Sequence, residues 1–245
     1  MLNAFFWGLI ATSSLVLGGL IGSRFTLGKR TLGIIMGFGA GVLISAVAYE
    51  LVFEAIRLAG RSGAPGVGFL AGAFTFFFGD MLVGKIGAGD RKAINPSQQS
   101  KLIVPMVLGI ILDGVPESMV IGLGMLDGGT VSLAMLVAVF MSNLPEAIAG
   151  TTGMIAAAWS RTKILLLWCV IAVVCALATV AGYSFFANAS PQLLAFIQAF
   201  AGGAILMMLA NTMIPEAYEN GGKLTGIFTI LGFALSVIII LLEHS

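Results

Sequence analysis

The sequence predicts an all-α integral membrane protein: eight transmembrane helices in a 3+2+3 inverted-repeat bundle, with both termini outside. Three observations carry that prediction. Only 9% of the 245 residues are charged while 59% are hydrophobic, against about 25% charged in a soluble domain. The apolar residues fall into eight runs, each long enough to cross about 30 Å of hydrocarbon as a helix. The basic residues cluster on alternate connections between those runs.

The runs are Leu2–Gly22, Leu32–Leu58, Pro65–Gly84, Leu102–Leu126, Val131–Trp159, Ile164–Phe186, Pro191–Ala217 and Leu224–Leu242. Shallow alternation and very short loops argue against a β-barrel. Arg24, Lys29 and Arg30 follow the first run, Lys85, Arg91, Lys92 and Lys101 the third, Arg161 and Lys163 the fifth, and Lys223 the seventh. Only Arg57 and Arg61 remain for the opposite side. The positive-inside rule then puts both termini outside, and an odd number of spans would spoil the alternation.

The chain reads as one transmembrane domain over 1–245. Helices 1–3 occupy 1–84, a polar cytoplasmic connection 85–101, helices 4–5 residues 102–159 and helices 6–8 residues 164–242. The N-terminus lacks a basic region and a small-residue cleavage site, so it reads as the first span and not as a removed leader. Net charge is +1, which gives no argument for nucleic-acid binding. Cys169 and Cys175 lie six apart in one run, matching neither a redox motif nor a usual metal spacing, and read as buried structural thiols.

Two internal echoes organise the chain. A shift of 162 places Phe38 on Phe200, Gly41 on Gly203, Ala48 on Ala210, and Glu54-Ala55 on Glu216-Ala217. The second and seventh runs cross in opposite directions, so the echo predicts an inverted repeat of runs one to three with six to eight. A shift of 29 places Pro116-Glu117 on Pro145-Glu146 and Gly124-Met125 on Gly153-Met154, making runs four and five the centre. Small residues at four-residue spacing, such as Gly18 and Gly22 or Gly33, Gly37 and Gly41, allow close backbone approach. Helix packing within the chain and a homodimer both fit that pattern.

The acidic residues inside the apolar runs are Glu50, Glu54, Asp113, Glu117, Glu146 and Glu216. An ionised carboxylate at the bilayer centre costs about 2.5–3.5 kcal/mol or more, so each must be protonated, hydrated in a cavity or paired with a mobile cation. Asp113 and Glu117 are i and i+4 on the fourth run; Ser142, Asn143 and Glu146 share a face of the fifth. Pro116 and Pro145 free the carbonyls of Leu112 and Met141 and predict bends beside those oxygens. A lone proline is often only a kink and a lone glutamate often a protonated donor, but Pro-Glu occurs here three times, the third as Pro215-Glu216.

With these residues in view, the sequence resembles the Zrt/Irt-like protein (ZIP) family of divalent-metal transporters, whose members carry Pro-Glu motifs on helices four, five and seven. The resemblance implies eight spans, both termini outside, and a bundle of helices one, four, five and six moving against one of two, three, seven and eight. In "DGVPES", Asp113 and Gly114 stand where the family has His and Asn, Pro116 and Glu117 match, and Ser118 replaces Gly. In "SNLPEA", Ser142 takes the His/Gln position, Asn143 the Asn/Asp position, and Pro145 and Glu146 match. "IPEA" matches through Pro215 and Glu216.

The sole histidine is His244, so no imidazole reaches the core. The implied metal ligands are Asp113, Glu117, Ser142, Asn143, Glu146 and Glu216, all oxygen donors. Such a set suits hard cations such as Mn²⁺, Mg²⁺ or Ca²⁺, while the family suggests Zn²⁺ or Fe²⁺. The expected function is passage of a divalent cation (Zn, Mn, Fe or another) as transported substrate, across a prokaryotic plasma membrane, with lipid as the surroundings. The alternative is a transport-silent ZIP-like regulatory or structural protein. An enzyme is not expected: a zinc protease needs core histidines, and Asp113 has no second catalytic Asp facing it.

Overall fold

The structure, a computed structural model, describes residues 1–85, 99–126 and 131–243. Most of the polar connection 85–101 and His244 lie outside the described residues. Among the described residues eight helices are long and apolar enough to cross a membrane: α1 Leu2–Arg24, α2 Lys29–Ala59, α3 Ala64–Lys85, α4 Gln99–Gly124, α5 Leu133–Ala156, α6 Arg161–Phe185, α7 Pro191–Gly221 and α8 Leu224–Glu243. No strand occurs among the described residues. The fold is that of a multi-pass membrane protein.

Local chemistry fixes the helix ends. Ser132, Ser160 and Ser190 precede α5, α6 and α7, and each hydroxyl accepts a hydrogen bond from the backbone N–H three residues on, filling one of the donors a helix start leaves open. Pro191 occupies the first turn of α7, where its missing N–H costs nothing. α2 and α7 stop at Gly60 (φ 60°) and Gly222 (φ 65°), a backbone conformation that glycine adopts without the Cβ penalty.

The helices associate as two sets. α1 packs along α5 and α6, and α4 packs along α6; α3 packs along α7, and α2 along α7 and α8. α2 also meets α5, so it joins the sets. The most apolar stretch of α2 is 61% buried, against 22% for that of α3 and 17% for that of α8, which leaves the latter two on the rim.

Glycine makes the closest approaches. A Cβ on Gly41 would overlap the carbonyl of Thr229 in α8, and one on Gly232 would overlap that of Phe38 in α2. The same happens between α3 and α7, where Gly203 meets the Phe69 carbonyl and Gly72 meets that of Phe200. Of the two readings of the small-residue stripes, close packing within the chain is therefore the one the structure uses: Gly33 abuts α7, Gly37 abuts α8, and Gly18 and Gly22 abut α5.

α4 and α5 continue as α-helix through Pro116 and Pro145. Irregular backbone appears instead in α2 and α7, as π-helical turns at Val47–Phe53 and Leu209–Met213. In α7 the turn lies just before Pro215, whose ring removes a hydrogen bond from that stretch. α2 has no proline. What the two turns share is position: each begins six residues after its glycine, Gly41 or Gly203, and the two starts are 162 residues apart.

Candidate functional site

α4 and α5 meet through polar side chains well inside the bundle. Glu117 is 2% exposed, Ser142 1%, Asn143 2% and Asp113 6%. At about 1.5 Å per residue, this cluster lies roughly 10–17 Å from the nearer helix ends. The Ser142 hydroxyl is 3.1 Å from Glu117 Oε2 and 3.4 Å from Oε1, and Asn143 Nδ2 donates to Oε2 at 3.3 Å. Asn143 Nδ2 also donates to the Val139 carbonyl at 2.8 Å, and Ser142 Oγ lies 3.0 Å from that same oxygen.

Proton counting gives this arrangement two states. Ser142 has one hydroxyl proton and two acceptors in reach, Glu117 and Val139. With Glu117 ionised, the proton turns to the carboxylate and adds to the Asn143 donor. With Glu117 protonated, the carboxylic acid donates to Ser142 Oγ, and the Ser142 proton turns to Val139. Both states are satisfied, so the site can hold a charged or a neutral glutamate without moving the helices.

Asp113 stands one turn from Glu117 on the same face of α4, and the structure thus brings together four of the six residues expected at the site: Asp113, Glu117, Ser142 and Asn143. Glu146, one turn beyond Ser142, and Glu216, in α7, are each half-buried. Among the described residues no three His, Cys, Asp or Glu side chains converge in a group that could hold a metal. The Met141 carbonyl that Pro145 frees lies against Gly39 of α2, 2.7 Å from where a Cβ would stand.

One neighbour of the cluster was not legible as such. Cys175 of α6 is buried while Cys169 is exposed, so only one of the pair is an interior thiol. Cys175 Sγ lies 3.2 Å from the position a Cβ on Gly114 would take, and Asn143 Oδ1 lies 3.8 Å from it. The thiol thus borders the space that glycine leaves beside the cluster. The i to i+4 pattern could not find it, because it comes from a third helix.

Outward from the cluster the bundle opens. One turn above Glu117 and Val139, the side chains of Leu51, Val120, Ile121 and Met135 leave a space of about 20 Å³ beside Glu50, about what a single water occupies. Beyond it lies a cavity of about 710 Å³ bordered by Glu50, Glu54, Arg57, Ser132, Gln198 and Glu243 among others. Arg57 forks onto both Glu54 oxygens at 2.7–3.0 Å. Gln198 is 4% exposed, and its Oε1 is buried without a hydrogen-bond partner.

No protein-family model and no curated protein matches this chain.

Proposed function

We propose that the protein is a divalent-cation transporter of the ZIP type, with Glu117 at the centre of its intramembrane path. One observation carries the reading: a fully enclosed carboxylate bridges two helices through Ser142 and Asn143, in a stretch from Leu102 to Trp159 that contains no Lys or Arg. A carboxylate in that setting is costly to keep as a lone charge, so it carries either a proton or a mobile cation, and its hydrogen-bond partners serve both forms. Asp113, Glu146 and Glu216 would complete an oxygen-donor set as the cation sheds water, favouring Mn²⁺ or another hard ion alongside Zn²⁺ and Fe²⁺.

The architecture we propose is the inverted repeat with both termini outside. Its support is the recurrence, 162 residues apart, of Gly41 and Gly203, of the starts of the two π-helical turns, and of the terminal glycines Gly60 and Gly222. The reciprocal glycine–carbonyl contacts of α2 with α8 and of α7 with α3 obey the same exchange. The large cavity is then the outer mouth, and the hydrophobic ring at Val120, Ile121 and Met135 closes it.

The test is uptake of Mn²⁺, Zn²⁺, Fe²⁺, Cd²⁺, Mg²⁺ and Ca²⁺ into proteoliposomes, beside a Glu117→Gln/Glu146→Gln double variant. Saturable uptake by the parent that the variant loses supports the reading. Absence of uptake of every ion favours the second reading, a transport-silent protein of the same fold. The observation behind that reading is that no three metal-binding side chains converge among the described residues.

A further inference from the structure

Glu243, the last described residue of α8, is bonded to the start of a helix in the other set. Its Oε1 accepts from the Leu133 N–H of α5 at 2.6 Å, and its Oε2 accepts from the Ala134 N–H at 3.4 Å. Ser132 Oγ takes the next N–H, that of Met135, at 3.1 Å, and the Ser132 carbonyl takes that of Leu136 at 3.0 Å. The opening donors of α5 are thus all filled, two of them by a carboxylate from a different helix. That carboxylate also sits at the positive end of the α5 dipole.

The position of this bond matters. Glu243 and Ser132 border the wide cavity, and Met135, one turn along α5, is part of the narrow apolar ring below it. Ser142 and Asn143 lie two turns further down the same helix. α8 belongs to the set with α2, α3 and α7, and α5 to the set with α1, α4 and α6. Any motion that widens the mouth by separating these sets must draw the Glu243 carboxylate off the Leu133 and Ala134 amides.

We infer that Glu243 is a latch on the mouth: its carboxylate, seated on the start of α5, holds the Val120–Ile121–Met135 ring shut, and its release is part of opening. The sense of that opening rests on the transport reading, but the bond and its effect on access do not.

The experiment is therefore one of access, with no divalent cation present. Met135→Cys is introduced into the full chain in liposomes, and its reaction with a membrane-impermeant methanethiosulfonate is timed against the parent chain as background. Reaction is expected to be slow. Adding Glu243→Ala should speed it about five- to tenfold, the shift in opening that losing a helix cap of ordinary strength produces. Glu243→Gln, which keeps one acceptor and the side-chain volume, should give a smaller increase and guards against misfolding of the alanine variant. Glu54→Gln removes a charge from the same cavity without touching α5 and should change nothing.

Equal rates with and without both Glu243 substitutions would overturn the latch. So would an equal acceleration by Glu54→Gln, or a Met135→Cys thiol that is already freely reactive. Since uptake is not the readout, failure of the transport assay would leave this result standing.

Discussion

α2 and α7 on one side, and α4 and α5 on the other, reach the interior of the bundle by different means. The first pair is bare of Pro-Glu until its end, packs glycine onto neighbouring backbone carbonyls, and breaks its α-helical pattern in a π-helical turn. The second pair carries a proline in each span yet stays α-helical, and is tied together by side-chain hydrogen bonds around Glu117. Backbone contact without side chains has no slack, because nothing can change rotamer to relieve an added atom. A hydroxyl and a carboxylate can turn, so the second pair can change state while its helices stay put. The first pair is held by backbone contact, the second by side chains that can turn.

Breaking the rigid contacts should have the largest effect. Gly72→Val places a Cβ on the Phe200 carbonyl, and forcing the two backbones apart should cost about 3 kcal/mol or more, at the upper end of overpacking in cores. Thermal unfolding in detergent should show a large fall in Tm, or no folded protein. Retention of the parent Tm would mean that α3 and α7 do not approach as described.

The chemical pair should respond in the opposite way. Glu117→Gln keeps the shape and the acceptor oxygen while removing the cost of burying a charge, so stability should hold or rise. Uptake should nevertheless be lost. A variant that transports normally would remove Glu117 from the path.

Smaller effects then sharpen the comparison. Trp168→Phe removes an indole N–H that donates to Thr151 at 2.8 Å in a fully buried setting, and leaving that hydroxyl unpaired should cost about 1–3 kcal/mol. Ser142→Ala removes one donor to Glu117 and should cost about 1 kcal/mol in stability. It should also weaken cation uptake less than Glu117→Gln, since only the latter removes a charge; equal loss would assign Ser142 a role beyond hydrogen bonding. Gly153→Ala, whose Cβ meets nothing within 4 Å, should leave Tm unchanged and serves as the control for Gly72→Val.

Much of this could be read from the chain alone. The spans were legible because crossing a bilayer demands a long apolar run, a property each segment carries by itself. The runs named from composition match the helices to within a few residues, with α2 beginning earlier, at Lys29. The link between Glu117 and the Ser142–Asn143 pair was half legible. Helical spacing put each set on one face of its helix, but only the fold turned those faces toward each other. Interior irregularity was expected at Pro116 and Pro145, whereas the π-helical turns lie in α2 and α7, one of them with no proline to mark it.

By itself, then, the sequence determined the number of spans, the residue types that can carry chemistry, and the helix face each occupies, since these follow from hydrophobicity and a period of about 3.6 residues. Tertiary structure alone decided which glycine meets which carbonyl, that Cys175 borders the space beside Gly114, and that Glu243 seats on the start of α5. Those contacts join residues tens to more than a hundred positions apart. Each depends on how far one helix is rotated and slid against another, a quantity no local pattern encodes.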